Sequence, residues 1–324
     1  MNPRSSRSRS GTTPEPTGTA ADEAARRDSA LPDIDWAVPP AGVVRSEFTA
    51  PSGSLAMFSL GDPSHPRVLL VPGVTGSKED FSLMMPGLAA AGFFVQSYDL
   101  AGQYQSADAG PEHLEPPRDN YDYDLFVEDL RAVIEEAGGA TGGPVHVLGY
   151  SFAAIVAQLL YVARPEIFAS LAILSAPPQP GQSFRGMSRI GRFTGLASNR
   201  VGAALMIWGI RRNFNRVPPG RLRFVEHRFG FTRRDSVRDV IGLMKRVPDC
   251  REALAKSAIP LLVAVGEHDV WPLRLHAEFA ESIGAHLAAY PAGHSPCETS
   301  PNQLTRDLLA LYGATGAPGS AARR

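Results

Sequence analysis

The chain has 324 residues, 44% hydrophobic and 20% charged, with a formal net charge of −1. Such a chain is long enough for one large α/β domain or a core with an insertion, and its charge balance gives no reason to expect an overall nucleic-acid binder. Cys250 and Cys297, far apart and without metal spacing, imply no disulfide framework and no metal site, so a reducing, cytoplasmic setting is expected.

Residues 1–40 are rich in Ser, Arg, Thr, Pro and Ala and poor in large apolar groups, so a disordered tail is expected there. No apolar run follows the basic residues near the start, so the pattern is not that of a secretory signal. No run reaches the roughly 18 apolar residues that cross a bilayer, so stable membrane insertion is not expected. Next, "VVRSEF" and "SLAMFSL" read as a strand pair joined through Gly53. "RVLLVPG" is a continuous apolar run, the mark of a strand buried on both faces. The stretch "KEDFSLMMPGLAAAG" reads as helix and "FFVQSYDL" as strand. "YDYDLFVEDLRAVIEEAGG" places Leu125, Phe126, Leu130, Val133 and Ile134 on one helical face and closes on glycines. "PVHVLGY" is then a strand, "FAAIVAQLLYVA" a helix ended by Pro165, and "ASLAILSAPP" a strand.

Residues 179–250 interrupt this alternation with 15 Arg or Lys against 4 Asp or Glu and scattered aromatic residues. They are expected to form a helical cap insertion. Beyond it "IPLLVAVGEHD" reads as strand, "PLRLHAEFAESIG" as helix and "HLAAY" as strand. "SPNQLTRDLLALYG" is the last helix, with Ser300 as its cap. Residues 314–324 read as a second disordered tail. Strands alternating with helices imply an α/β fold with a mostly parallel central sheet flanked by helices, its two core halves at 41–178 and 251–313.

Gly149-Tyr150-Ser151-Phe152-Ala153 is one methyl group away from the G-x-S-x-G turn that exposes a nucleophilic serine. Taken alone, Ser151 reads equally well as a helix cap. Its company decides. In a parallel sheet, reactive groups gather at the carboxyl ends of the strands. Ser151 follows "PVHVLGY", Asp269 follows "PLLVAVGEH" and His294 lies in "PAGHSP" after "HLAAY". That order, Ser then Asp then His, is the order of a catalytic triad on this architecture. A serine hydroxyl needs an imidazole to take its proton, and the imidazole needs a buried carboxylate to fix its tautomer. The N–H groups of Phe152, at a helix start, and of Val74, in the turn "PGVTGS", are the expected oxyanion donors. His146 reads as a hydrogen-bonded core histidine, Asp99 and Ser106 as holders of a loop, and Cys297 as a small buried side chain. His268 and Trp271 read as pocket-lining or structural.

With these residues in place the chain resembles the α/β-hydrolase superfamily, in its capped group like AB hydrolase-1, over about residues 43–313. Where family members carry His-Gly-x and later Asp-x-Arg-Gly-x-Gly-x-Ser, Gly73, Asp99, Gly102 and Ser106 match. Pro72 stands for the histidine, Ala101 for the arginine and Tyr104 for a glycine. "VGEHDVWP" and "AGHSP" are similar to the family's acid and histidine segments. Capped dehalogenases and epoxide hydrolases use aspartate where this chain has Ser151. The resemblance implies a serine hydrolase without cofactor or metal, acting on a small-molecule ester or related acyl substrate, as a monomer or homodimer. The same triad used for acyl transfer, C–C bond hydrolysis or perhydrolysis is the alternative, and a non-catalytic hydrolase-like binding module is a second. The insertion is expected to cover the mouth above Ser151, its aromatic residues between Phe184 and Phe231 forming an apolar roof. Most of its arginines should face water. The excess of arginine over lysine is the bias of a GC-rich bacterial genome.

Overall fold

The apolar runs become the strands of one eight-stranded sheet in the structure, a computed structural model that describes residues 20–137, 142–186 and 218–313. The strands are β1 (Val44–Ala50), β2 (Gly53–Leu60), β3 (Arg67–Val71), β4 (Phe94–Tyr98), β5 (Val145–Tyr150), β6 (Phe168–Leu174), β7 (Leu261–Gly266) and β8 (His286–Tyr290). Their order in the sheet is β1-β2-β4-β3-β5-β6-β7-β8. β1 and β2 form an antiparallel hairpin at one edge, tight enough to pair Ala50 with Gly53, and β2 runs antiparallel to β4. Every other pair is parallel.

Both faces of the sheet are covered, which is why β3, β4, β5 and β7 are buried along their whole length. Successive side chains of β3 point to opposite faces. Leu69 and Val71 join the core formed with α3 (Tyr123–Glu136) and α4 (Phe152–Ala163), through Leu125, Phe126, Leu130 and Ile155. Val68 and Leu70 join the core on the other face, with Met85 and Leu88 of α2 (Met85–Ala90) and two leucines of the last helix, Leu304 and Leu308. The register sets the ends of neighbouring strands level. Val71 pairs with Gly149, Tyr150 with Leu174 and Gly266 with Tyr290, so the loops that follow these strands meet at one edge.

The structure departs from the sequence reading in three places. The expected helix from Lys78 onward is split into a single tight turn, Lys78–Phe81, and the separate α2. Pro86 lies in the first turn of α2, where its missing N–H costs nothing; inside a continuous helix it would break the ladder. Residues 20–40 are not a disordered tail. They form helix α1 (Ala20–Ser29) and a strap whose Trp36 is buried against Tyr104 and Phe224. The third departure is linked to the second. Ser300 does not cap the last helix through its side chain, since its buried hydroxyl has no partner among the described residues. Asp28 of α1 takes the position instead, accepting from the Asn302 N–H at 2.8 Å and the Gln303 N–H at 3.0 Å. Residues 1–19 and 314–324 lie outside the described residues.

Of the insertion, residues 179–186 and 218–250 are described, and they include α5 (Pro219–Phe231) and α6 (Arg234–Met244). The Arg233 N–H donates to the Gly102 carbonyl at 2.8 Å and the Ser236 hydroxyl to that of Ala101 at 3.2 Å. Trp271 Nε1–H donates to the Ser183 carbonyl at 2.7 Å. These partners sit in loops after β4 and β7, so the described part of the insertion lies on the edge where the strand-end loops meet. α7 (Arg251–Ala255) leads back to β7, and α8 (Leu273–Ser282), α9 (Pro296–Thr299) and α10 (Pro301–Gly313) complete the chain. Among the described residues no helix is long and apolar enough to cross a membrane.

Candidate active site

Ser151 sits at the turn between β5 and α4 with φ 55° and ψ −113°, a left-handed backbone that costs a non-glycine residue about 1–3 kcal/mol. The surroundings hold it there. Its N–H donates to the Leu174 carbonyl at 2.8 Å, and its carbonyl accepts from the Ala154 N–H at 3.1 Å. The turn is tight on one side only. A Cβ added to Gly149 would lie 2.6 Å from Ala154 Cα and 2.7 Å from the Ala153 carbonyl oxygen, both immovable backbone. Ala153, where a second glycine would complete the motif, is fully buried, its methyl accommodated among the packed residues of α4.

β7 and β8 bring the other two groups. Asp269 lies in the turn after β7, its N–H donating to the Gly266 carbonyl at 3.1 Å, and its side chain is wholly buried. His294 lies in the loop after β8, with Nδ1 2.7 Å from Asp269 Oδ1 and Nε2 3.1 Å from Ser151 Oγ. A carboxylate only accepts, so Nδ1 carries the ring proton and donates it to Oδ1. Nε2 is thereby left with its lone pair toward the Ser151 hydroxyl, which donates to it. The imidazole is packed between Tyr150, at 5.4 Å between ring centroids, and Trp271, at 5.7 Å. The Tyr150 hydroxyl is hydrogen-bonded to Ser295 Oγ at 2.8 Å, tying the histidine loop to the end of β5.

The turn after β3 closes over the serine. A Cβ on Gly73 would stand 3.0 Å from Ser151 Cβ, so this loop passes against the reactive side chain with no room to spare. Val74 follows, and Phe152 is the first residue of α4. Among the described residues neither N–H is committed to a hydrogen bond. The loop is pinned from below. The Thr75 N–H donates to Gln103 Oε1 at 2.6 Å, and the Gly76 N–H to the Gly73 carbonyl at 2.9 Å.

Buried charges hold the following turn. Asp80 accepts from Arg221 at 2.6 Å and from Arg228, both on α5, and Arg221 also pairs with Glu298. Burial opposes the Asp80 charge, but Arg228 and Arg221 outweigh it and hold the carboxyl below its ordinary range. The neighbouring Lys78 donates to Asp99 Oδ2 and Gln105 Oε1, each at 2.8 Å. Burial pushes Asp99 up to about 7 in spite of that lysine. These ions bind the insertion and the loop after β4 to the segment that carries Val74.

The structure thus brings Ser151, His294 and Asp269 together in series and sets Phe152 and Val74 around them. His146 is buried in β5 with Nδ1 2.8 Å from Ser170 Oγ. Asp99 and Ser106 anchor their loop, Ser106 Oγ accepting from the Ala56 N–H at 2.9 Å. His268 is exposed, Trp271 is buried, and Cys297 is a fully buried side chain. Phe224 packs against Trp36 and Tyr104, and Phe231 is 56% exposed; Phe193, Trp208 and Phe214 lie outside the described residues. Two features had no signal in the sequence. Arg221 and Arg228 look like every other arginine of a basic insertion, and His276 looks like one polar residue of an amphipathic helix.

Comparison with known proteins adds a family. A profile described as the alpha/beta hydrolase family matches residues 68–308. Serine hydrolase BPHL of Homo sapiens is 26% identical over 263 residues, which cover 77% of this chain and 80% of that protein. Among solved structures, a carboxylesterase structure from the thaumarchaeon Nitrososphaera gargenis superposes with a TM-score of 0.67 at 17% identity, covering 84% of this chain and 99% of that one. The epoxide hydrolase VrEH1 from Vigna radiata superposes with a TM-score of 0.65 at 15% identity, covering 86% of this chain and 100% of that one. At such identities these two structures speak for the fold alone.

Proposed function

The chain belongs to the alpha/beta hydrolase family, and on that premise we propose that it is a serine hydrolase that cleaves a small-molecule carboxylic ester, or a related acyl compound, through an acyl-enzyme. One observation carries the reading. The hydrogen-bonded series Ser151 Oγ, His294 Nε2 and Nδ1, and Asp269 Oδ1 is assembled with its serine on a strained strand-to-helix turn.

Each residue then has a role that its position suits. Ser151 Oγ attacks the substrate carbonyl while its proton passes to His294 Nε2. The negative charge that develops on the carbonyl oxygen is met by the N–H groups of Phe152 and Val74, preorganised and uncommitted to other partners. Asp269, its side chain shielded from water, stabilises the imidazolium. When the intermediate collapses, His294 gives the proton to the leaving alcohol and the acyl group stays on Ser151. Water, deprotonated by the same nitrogen, then attacks the ester carbonyl and releases the acid. The reading calls on no cofactor. The Ser151 side chain also separates it from chemistry in which a carboxylate nucleophile opens an epoxide.

The test is turnover of short p-nitrophenyl esters beside a thioester and a β-diketone. Ester hydrolysis by the native chain, reduced at least about 10³-fold in Ser151→Ala, is expected. Undiminished turnover by Ser151→Ala would remove the proposal; cleavage of the diketone far above the esters would replace ester chemistry with C–C bond hydrolysis.

A further inference from the structure

Behind Asp269, helix α8 buries a second imidazole. His276 is 1% exposed, and its Nε2 lies 3.6 Å from Asp269 Oδ2. Among the described residues neither atom has a hydrogen-bond partner elsewhere, whereas Asp269 Oδ1 is occupied by His294 Nδ1 and the Val270 N–H. Two buried polar atoms that lack partners and face each other are rare, because each pays its desolvation without return. The charged or titratable groups that face the His276 ring are Asp269 and His294, and Trp271 packs beside it at 6.3 Å between centroids.

Burial lowers the His276 imidazole to about 4, so at neutral pH the ring is uncharged and presents one N–H and one lone pair. A lone pair turned on a buried carboxylate oxygen would be repelled. An N–H would be attracted. Electrostatics therefore selects the tautomer with the proton on Nε2.

We propose that His276 is a positioning residue whose Nε2–H is aimed at Asp269 Oδ2 and keeps Oδ1 on His294 Nδ1. The inference rests on the reading of Ser151, His294 and Asp269 as the catalytic series. At 3.6 Å the contact is longer than a hydrogen bond, and a small rotation of either side chain closes it. Its effect is twofold. It prevents the carboxylate from rotating away from His294, and it spreads the carboxylate charge over two donors.

The consequence is a pH profile. Without the Nε2 donor, the uncompensated carboxylate retains a proton on the unit to higher pH, and the acidic limb of kcat/KM moves upward. His276→Leu should shift that limb by about one pH unit and lower kcat/KM by up to about tenfold at pH values on the limb, with KM nearly unchanged. His276→Gln, whose amide N–H reaches about as far as Nε2, should stay close to the native profile. A packing role alone would make the two variants alike and leave the limb in place. Either result, an unmoved limb in His276→Leu or an equal shift in His276→Gln, overturns the inference. If His276→Leu does not fold, imidazole ¹⁵N spectra of the native chain decide: a proton on Nε2 supports the inference, and a proton only on Nδ1 ends it. Fluorophosphonate labelling of Ser151 in the same preparation keeps the two claims apart. Loss of labelling removes the serine-hydrolase reading; intact labelling with an unmoved limb removes only the role of His276.

Discussion

At position 149 a hydrogen atom decides whether the reactive turn can form. Any side chain there meets the backbone of Ala153 and Ala154 within 2.7 Å, and backbone inside a buried helix has nowhere to go. Gly149→Ala should therefore cost about 3 kcal/mol or more and lower the melting temperature by roughly 10 °C, or prevent soluble accumulation altogether. Ala153→Gly is the opposite case. It removes one buried methyl and some helix propensity, about 1–2 kcal/mol together, and should leave labelling of Ser151 intact. Equal melting temperatures for the two variants would contradict this asymmetry. The same two positions show what a sequence can tell. Ser151, Asp269 and His294 were legible because their order and their places after apolar strands are one-dimensional properties. The Asp269–His276 contact was not legible, since it depends on how α8 is rotated against the turn before it.

Among the elements, the strands were readable because continuous apolar runs have few other uses, and the amphipathic face of α3 gave that helix away. The N-terminal segment misled for an identifiable reason. Its docking depends on one indole, Trp36, and on two carboxylates, Asp28 and Asp33, which composition does not weigh. Asp28 reaches across the fold to the open N–H groups of α10, a partnership that no local capping rule anticipates. Ser300, the local candidate, is left with a buried hydroxyl that has no partner among the described residues. The exchange of roles has a measurable signature. Asp28→Ala should lower stability to urea by about 1–2 kcal/mol, the usual value of a lost cap. Ser300→Ala, which removes an unsatisfied group, should be neutral or slightly stabilising. A Ser300→Ala loss equal to that of Asp28→Ala would show that the serine is the working cap.

On the scale of the whole molecule, the insertion and the core are joined by ions rather than by apolar area alone. Arg221 is buried between Asp80 of the core and Glu298 of the histidine segment, and its guanidinium also lies 4.5 Å over the ring of Trp36. Removing it leaves two carboxylates sharing one remaining arginine in a site closed to water. Arg221→Leu should destabilise the chain by about 3 kcal/mol or more, and Asp80→Asn in the same chain should restore part of that loss. Strictly additive losses would mean that the pair does not act as a unit. The network ends at Ser77 and Asp80, just past the turn bearing Gly73 and Val74, so it ties the insertion and the strap to the segment beside Ser151. What all of this surrounds is a single reactive oxygen, and the most direct measurement is covalent. Exposure of the native chain to a fluorophosphonate, followed by intact mass and peptide mapping, should place one adduct on Ser151. The adduct should be absent in Ser151→Ala and form far more slowly in His294→Ala. No adduct on the folded native chain, or an adduct on Ser151 that forms as fast without His294, would contradict the account.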